Sequence, residues 1–113
     1  MVAGLDNVRD SGNELDVWAE RKVSGGKLIK VELVISNESI SKASITGDFF
    51  AYPESFIEDL EVDLKGKSTE PEPLAAVLKQ FLADYNYPVE FIGIDYNDII
   101  ELILECLAKT GNQ

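Results

Sequence analysis

The run that most constrains the fold spans residues 28–36, where apolar and polar side chains alternate. The apolar positions are Ile29, Val31, Leu33 and Ile35, and the positions between them include Lys30, Glu32 and Ser36. Side chains of an extended strand point alternately to its two faces, so this pattern gives one apolar and one polar face. The run therefore predicts a half-buried β-strand whose apolar face needs a covering layer.

Two further runs alternate in the same way. Leu15, Val17 and Ala19 precede this strand, and Ala43 and Ile45 follow it. The turns predicted at residues 24–26 and 37–38 are short, and short connections favour antiparallel neighbours. We therefore predict a three-stranded antiparallel meander. Residues 1–14 are polar without periodicity and are interpreted as a flexible N-terminal extension, which leaves residues 15–113 as a single domain.

Three helices are predicted after the strands. The first is expected to begin at Pro53, the second near Pro73, and the third after Asp95 as its cap, with Asp98 three residues on. Residues 89–94 form a short apolar run that fits either a buried connection or a short strand. Strands followed by helices indicate an α+β fold with the helices on one face of the sheet. The residues expected in its core include Leu33, Ile45, Leu60 and Phe81.

The opposite face of the predicted sheet carries Trp18, Leu28 and Val34 among charged residues. One interpretation is that these are ordinary surface side chains, or side chains covered by the N-terminal segment. The other is that they form a docking patch for a partner.

Composition excludes several classes of function. The chain has 113 residues and a net charge of −11, so a polyanionic nucleic acid or an anionic membrane surface is a poor partner. It has no histidine and one cysteine, Cys106, which argues against a metal centre, a disulfide and common acid–base catalysis. The first residues do not resemble a signal peptide, so a cytoplasmic location is expected.

Individual motifs favour structural roles. Gly25-Gly26-Lys27 is too short for a phosphate-binding loop and fits a hairpin turn. Asp48 has no paired base and is interpreted as an acceptor for backbone amides rather than as a catalytic group. The single thiol of Cys106 lies in an apolar helical stripe, where a buried and inert thiol is expected. The sequence therefore predicts no catalytic residue and no metal site in the chain by itself.

A longer set of segments carries a family resemblance. They are residues 21–31, the segment Gly47-Asp48-Phe49-Phe50, Pro53-Glu54, Leu60-Glu61, residues 64–66 and the region of Gly93. In this order and spacing they resemble the C-terminal accessory domain of lipoate–protein ligases, in the version encoded as a separate small subunit. The resemblance covers roughly residues 17–108 and also implies a fold similar to that of iron–sulfur scaffold and sulfur-transfer proteins.

The resemblance implies a non-catalytic subunit that supports lipoyl-AMP formation by a separate catalytic subunit. Lipoate, ATP and Mg would then belong to the partner subunit, with no cofactor in this chain, and a lipoyl-acceptor domain would be an indirect partner. By motif position, Lys27, Gly47, Asp48, Phe49 and Phe50 would face the catalytic subunit. Alternatives are a general interaction module, a scaffold of the iron–sulfur assembly fold without cluster ligands, and an enzyme using Cys106 as a sulfur acceptor.

Overall fold

A computed structural model describes residues 8–23, 25 and 27–110 of the chain. Within them, a four-stranded antiparallel sheet has the order β1-β2-β3-β4, and a separate two-stranded ribbon pairs β5 with β6. The strands are β1 Val8–Asp10, β2 Leu15–Lys22, β3 Leu28–Ser36, β4 Ser39–Gly47, β5 Phe50–Tyr52 and β6 Glu90–Ile92. The helices are α1 Phe56–Leu64, α2 Pro71–Asp84 and α3 Tyr96–Thr110. The α+β class is as predicted.

The predicted meander is correct for β2, β3 and β4 but one strand short. Val8–Asp10 lies within the segment predicted to be a flexible extension, yet it pairs with β2, with Val8 opposite Val17. Edge pairing of this kind is set by contacts with the neighbouring strand, and three residues are too few to show a period. The remainder of that predicted extension at residues 1–7 lies outside the described residues.

The hairpin between β3 and β4 turns at Asn37 and Glu38. Both residues have positive φ, 55° and 63°, which is the geometry of a type I′ turn and matches the twist of the flanking strands. The hairpin between β2 and β3 is closed by the N–H of Val23, which donates to the carbonyl of Lys27 at 2.8 Å. Ser24 and Gly26 of the turn predicted there lie outside the described residues.

The first helix begins later than predicted. Residues 50–52 leave β4 as the short strand β5, and Pro53 lies in the turn between β5 and α1, after a cis peptide bond. The N–H of Phe56 then donates to the carbonyl of Pro53, so Pro53 precedes the helix instead of opening it. A proline at this position is compatible with a helix start. The strand that pairs with β5 is about 40 residues away, so the local sequence pattern does not reveal that β5 is a strand.

The other two helices match their signals more closely. Pro71 occupies the first turn of α2, two residues earlier than expected. At α3 the predicted cap at Asp95 is confirmed. The Asp95 carboxylate accepts a hydrogen bond from the N–H of Asn97 at 3.4 Å, and the N–H of Asp95 donates to the Asp98 carboxylate at 2.9 Å. The undecided run at 89–94 contains strand β6.

The core lies between one face of the sheet and the helices. The alternating apolar residues of β3, from Ile29 to Ile35, are buried, as predicted. Helix α3 packs on β2 and β3, α1 packs on β4, and α2 packs on α3. Leu33, Ile45 and Leu60 are buried as expected. Phe81, which was also expected to be buried, is only half-buried, because α2 contacts α3 rather than lying under the sheet.

Within residues 8–110, no described helix covers the opposite face of the sheet, and Trp18, Leu28 and Val34 are half-buried there. The guanidinium of Arg9 lies 5.6 Å from the centre of the Trp18 ring and also approaches the Asp16 carboxylate at 3.8 Å. Strand β1 therefore supplies part of the cover for Trp18, as the first of the two interpretations expected. No helix in the described part of the chain is both long and apolar enough to cross a membrane.

Candidate functional site

The structure brings Lys27 and the segment Gly47–Phe50 to the same end of the sheet. Gly47 pairs with Ile29 at the last position of the β3–β4 ladder, and the N–H of Asp48 donates to the carbonyl of Leu28 at 2.8 Å. Lys27 directly precedes Leu28 and is exposed. Because neighbouring strands run in opposite directions, the sequence predicts that these segments lie together, and this geometry is confirmed.

Gly47 allows the chain to leave β4 against β3. It has a φ of +153°, and a Cβ added to it would lie 2.2 Å from the carbonyl oxygen of Leu28 and 2.9 Å from the Cα of Ile29. Both neighbours are backbone atoms, which cannot move aside as a side chain can. Only glycine therefore fits this position, and the close approach of the two strands fixes where residues 48–50 emerge.

Gly93 closes the same corner from the other side. An added Cβ at Gly93 would lie 3.5 Å from the carbonyl oxygen of Asp48 and 3.5 Å from the Cγ of Lys27. The turn before α3 therefore contacts both segments that the sequence singled out. These contacts place Lys27, Asp48 and Gly93 in one cluster at the end of the sheet.

Asp48 does not act as predicted. Its side chain is exposed, and its carboxylate accepts no hydrogen bond from any described residue. The loop is held by the backbone N–H of Asp48 instead, which any residue other than proline would supply. The prediction that the carboxylate supports the exit loop is therefore wrong, and the charge of Asp48 is left facing solvent.

Phe49 and Phe50 point in different directions, as expected for adjacent residues. Phe49 is half-buried and packs against the core, whereas Phe50 has 63% of its surface exposed. An exposed phenylalanine costs free energy in water and gains it when a partner covers it. Of the two rings, Phe50 is thus the one available to a partner.

The ribbon of β5 and β6 extends the apolar surface beyond Phe50. Phe50 pairs with Ile92, and Tyr52 pairs with Glu90, so these four side chains share the outer face of the ribbon. Ile92 is 48% exposed and Tyr52 is 44% exposed. We call Phe50, Tyr52 and Ile92 the ribbon ridge. It holds three of the five large hydrophobic residues that are exposed in the described part of the chain.

The inner face of the ribbon explains why the ridge is held in place. Ala51 is buried, and the Phe91 ring lies 5.6 Å from the rings of both Phe56 and Tyr96. Phe56 is fully buried on α1, and the Tyr96 hydroxyl donates to the carbonyl of Leu78 on α2 at 2.7 Å. The ribbon is therefore anchored to α1 and α3 through Phe91, and Tyr96 in turn connects α3 to α2, while the outer side chains of the ribbon face solvent.

Sequence reasoning found Phe50 but missed Tyr52 and Ile92. Phe50 and Tyr52 are two positions apart, as side chains on one face of a strand are. A segment of three residues is nevertheless too short for this periodicity to distinguish a strand from a turn. Ile92 belongs to an apolar run, residues 89–94, that fits either a buried connection or a short strand. Its pairing with Phe50 exists only in the folded chain.

Charge is unevenly distributed around this end of the molecule. The β2–β3 hairpin, over residues 21–31, contains Arg21, Lys22, Lys27 and Lys30 and no acidic residue, although the chain has 21 acidic and 10 basic residues. Arg21 is engaged with Glu101 and Glu105 on α3, at 2.8 and 3.1 Å. Lys27 makes no ion pair with any described residue and so remains available for an anionic group.

The ridge, in contrast, is flanked by carboxylates. Asp48, Glu54 and Glu90 are exposed, and within the described ranges none of them pairs with a cation. Glu54 also lines a shallow groove beside Phe50, together with Phe49, Ala51 and Ile57. The ridge is thus an apolar strip with an acidic border.

The site offers apolar surface and charged groups for binding a partner. Cys106, the one thiol, is buried on α3 and donates a weak hydrogen bond to the carbonyl of Val31 at 3.6 Å. Burial raises the pKa of this thiol to about 12, so it remains protonated and is a poor nucleophile. In the described part of the chain no three acidic or thiol side chains converge as metal ligands would.

Comparison with known proteins gives three agreeing results. Residues 14–103 match the family model described as bacterial lipoate protein ligase C-terminus. Lipoate-protein ligase A subunit 2 of Thermoplasma acidophilum is 34% identical over 76 residues, which are 67% of this chain and 76% of the relative.

The structure is also similar to a solved chain from Thermoplasma acidophilum. The TM-score is 0.61 with 29% identity, over 78% of this chain and 96% of the solved chain. That chain comes from the structural analysis of an archaeal lipoylation system, described as a bipartite lipoate protein ligase and its E2 lipoyl domain. The family match includes the end of the sheet described above. The chain therefore belongs to the family of lipoate–protein ligase C-terminal domains.

Proposed function

We propose that this chain is the accessory subunit of a two-part lipoate–protein ligase and supports lipoate activation by a separate catalytic subunit. Lipoate, ATP and Mg bind the catalytic subunit in this proposal, and the product is lipoyl-AMP. A lipoyl-acceptor domain is an indirect partner that receives the lipoyl group from the catalytic subunit.

One observation carries the proposal. The chain spans 96% of a solved chain from a system described as a bipartite ligase, and 76% of a relative named as subunit 2 of such a ligase. Similarity over nearly the whole of a separate small chain favours a separate subunit over a general interaction module. A buried Cys106 counts against the alternative of an independent sulfur acceptor.

We propose that the catalytic subunit contacts the end of the sheet that carries Lys27, Gly47, Asp48, Phe49 and Phe50. Lys27 is exposed there without an ion-pair partner, and Phe50 is exposed beside it. In this arrangement Gly47 sets the direction of the segment and Phe49 anchors it to the core. The proposal also retains a cytoplasmic location and a fold similar to that of iron–sulfur scaffold and sulfur-transfer proteins.

The test is reconstitution with the catalytic subunit from the same organism. Lipoyl-AMP formation is measured with the catalytic subunit alone, with this chain alone, and with both proteins. The proposal expects activity that depends on adding this chain, together with a complex detected by calorimetry. Equal activity with and without this chain would refute it, and binding without any effect on activity would favour the general interaction module.

A further inference from the structure

We propose that the ribbon ridge of Phe50, Tyr52 and Ile92 inserts into an apolar pocket of the catalytic ligase subunit, and that basic side chains border this pocket. The inference rests on the proposed function for the identity of the partner. It adds Tyr52 and Ile92 to the contact surface, since the resemblance implied only Lys27 and the Gly47–Phe50 segment there. It also specifies the chemistry of the surface that must receive the ridge.

The ribbon ridge is exposed to solvent without a local structural cause. A short ribbon normally turns its apolar face inward, and this one does so with Ala51 and Phe91. Its outer face nevertheless carries an isoleucine and two aromatic rings, which are about half exposed. Aromatic side chains that are clustered and held rigidly are typical anchors of protein interfaces.

The ribbon ridge is held rigidly by the core behind it. Phe91 packs on Phe56 and Tyr96, so the ribbon is fixed to the core directly behind the ridge. A ridge that is ordered before binding loses little conformational entropy when a partner covers it. This distinguishes it from Val62, which is 66% exposed on α1 but stands alone.

The surface around the ribbon ridge is acidic. Asp48, Glu54 and Glu90 border the ridge, and no cation in the described part of the chain pairs with them. Covering these carboxylates with an apolar or acidic surface would leave their charges without partners at a high cost in free energy. A pocket bordered by lysine or arginine removes that cost, and so the partner surface must be apolar at its centre and basic at its rim.

Lys27 restricts the orientation of such a complex. Its Cγ would lie 3.5 Å from a Cβ added to Gly93, the residue that follows Ile92, so Lys27 is near the ridge. A partner whose basic side chains meet the carboxylates around the ridge must also present an anionic group to Lys27. The two signs of charge together restrict the docking orientation.

The experiment uses this chain and its catalytic subunit as two separate proteins and measures affinity by calorimetry. Phe50→Ala and Ile92→Ala should each weaken binding by about tenfold or more, since truncated anchor residues cost that much. Val62→Ala is the matched control for Ile92→Ala and should bind as the unchanged chain does. Thermal unfolding of each variant confirms that the exposed substitutions leave the domain folded.

Charge is tested in the same titrations. Glu90→Gln should weaken binding and reduce its dependence on salt, whereas Glu20→Gln, at an exposed position of β2, should change neither. If the unchanged chain binds and the ridge variants bind equally well, the ridge is not the anchor and the inference fails alone. If the unchanged chain does not bind the catalytic subunit at all, the proposed function and the inference both fail.

Discussion

The position of Gly47 against Leu28 sets the geometry of the whole candidate site. A Cβ on Gly47 would approach the Leu28 carbonyl oxygen to 2.2 Å, and the same oxygen accepts the N–H of Asp48 at 2.8 Å. The oxygen is thus held between the glycine and the following amide. The exit of β4 therefore depends on the absence of a side chain at a single residue.

Gly47→Ala should destabilise the domain by about 2–4 kcal/mol, because the methyl group must displace backbone atoms. Gly66→Ala is the control, since Gly66 also has positive φ, +84°, but an added Cβ there meets nothing within 4 Å. The control should cost about 1–2 kcal/mol, from φ alone. Urea titrations measure both values, and an equal cost for the two variants would contradict the steric argument at Gly47.

Lys27→Ala should lower lipoyl-AMP formation by the mixed subunits when the catalytic subunit is limiting. The free energy of unfolding of this chain should hardly change, because Lys27 is exposed and makes no ion pair with a described residue. Lys79→Ala, at an exposed position of α2, is the matched control and should retain full activity. Full activity and affinity of Lys27→Ala would remove this lysine from the proposed interface.

Leu60→Ala should cost about 2–5 kcal/mol of stability, since Leu60 is fully buried where α1 packs on the sheet and its loss leaves a cavity. Val62→Ala on the same helix is exposed and should cost less than about 0.5 kcal/mol. Denaturant titrations of the two variants compare the inner and outer faces of α1 directly. A loss under about 0.5 kcal/mol for Leu60→Ala would show that α1 is misplaced on the sheet.

Cys106 should react with a thiol reagent only when the domain unfolds. Burial raises its pKa from the ordinary 9.0 to about 12, and a protonated, inaccessible thiol is inert. The reaction rate should therefore be low in buffer and rise through the urea transition. Rapid labelling of the folded protein would restore Cys106 as a candidate reactive group.

The same pKa shift gives a direction for stability at high pH. The unfolded chain ionises Cys106 above its ordinary pKa of 9.0, whereas the folded chain retains the proton until about 12. The unfolded state therefore gains free energy from ionisation in this interval, and stability should fall as pH rises above about 9. Cys106→Ser should reduce this fall, and an unchanged pH profile would argue against the shift.

Glu32→Gln should raise the urea midpoint at neutral pH. The pKa of Glu32 is raised mainly by a hydrogen bond with the Asp16 carboxyl, and to a smaller extent by burial and by the charge of Asp16. The positive charges of Lys30 and Arg9 oppose this increase only in part. The raised pKa means that ionising Glu32 costs more in the folded state than in the unfolded state, so its contribution to stability is lost as pH rises. The gain from Glu32→Gln should therefore shrink as pH falls below the ordinary carboxyl pKa of 4.5, because Glu32 then takes up a proton in both states. A gain that persists at low pH would show another cause.

The sequence by itself determined the elements that depend on local period. Alternation from Ile29 to Ile35 specified β3 and its buried face, and the carboxylates at Asp95 and Asp98 specified the start of α3. Opposite directions of neighbouring strands were enough to place Lys27 beside the Gly47–Phe50 segment. Each of these follows from a repeat or a cap that a few adjacent residues define.

Tertiary structure alone decided the features that need distant partners. β1 is a strand because β2 offers it an edge, and Phe50 forms part of a ribbon because Ile92 lies opposite it. Pro53 precedes α1 rather than opening it for the same reason, since the ribbon takes up the residues before it. Three-residue strands carry too few side chains to show a period, so their pairing is set by the free energy of long-range contacts that appear only when the chain has folded.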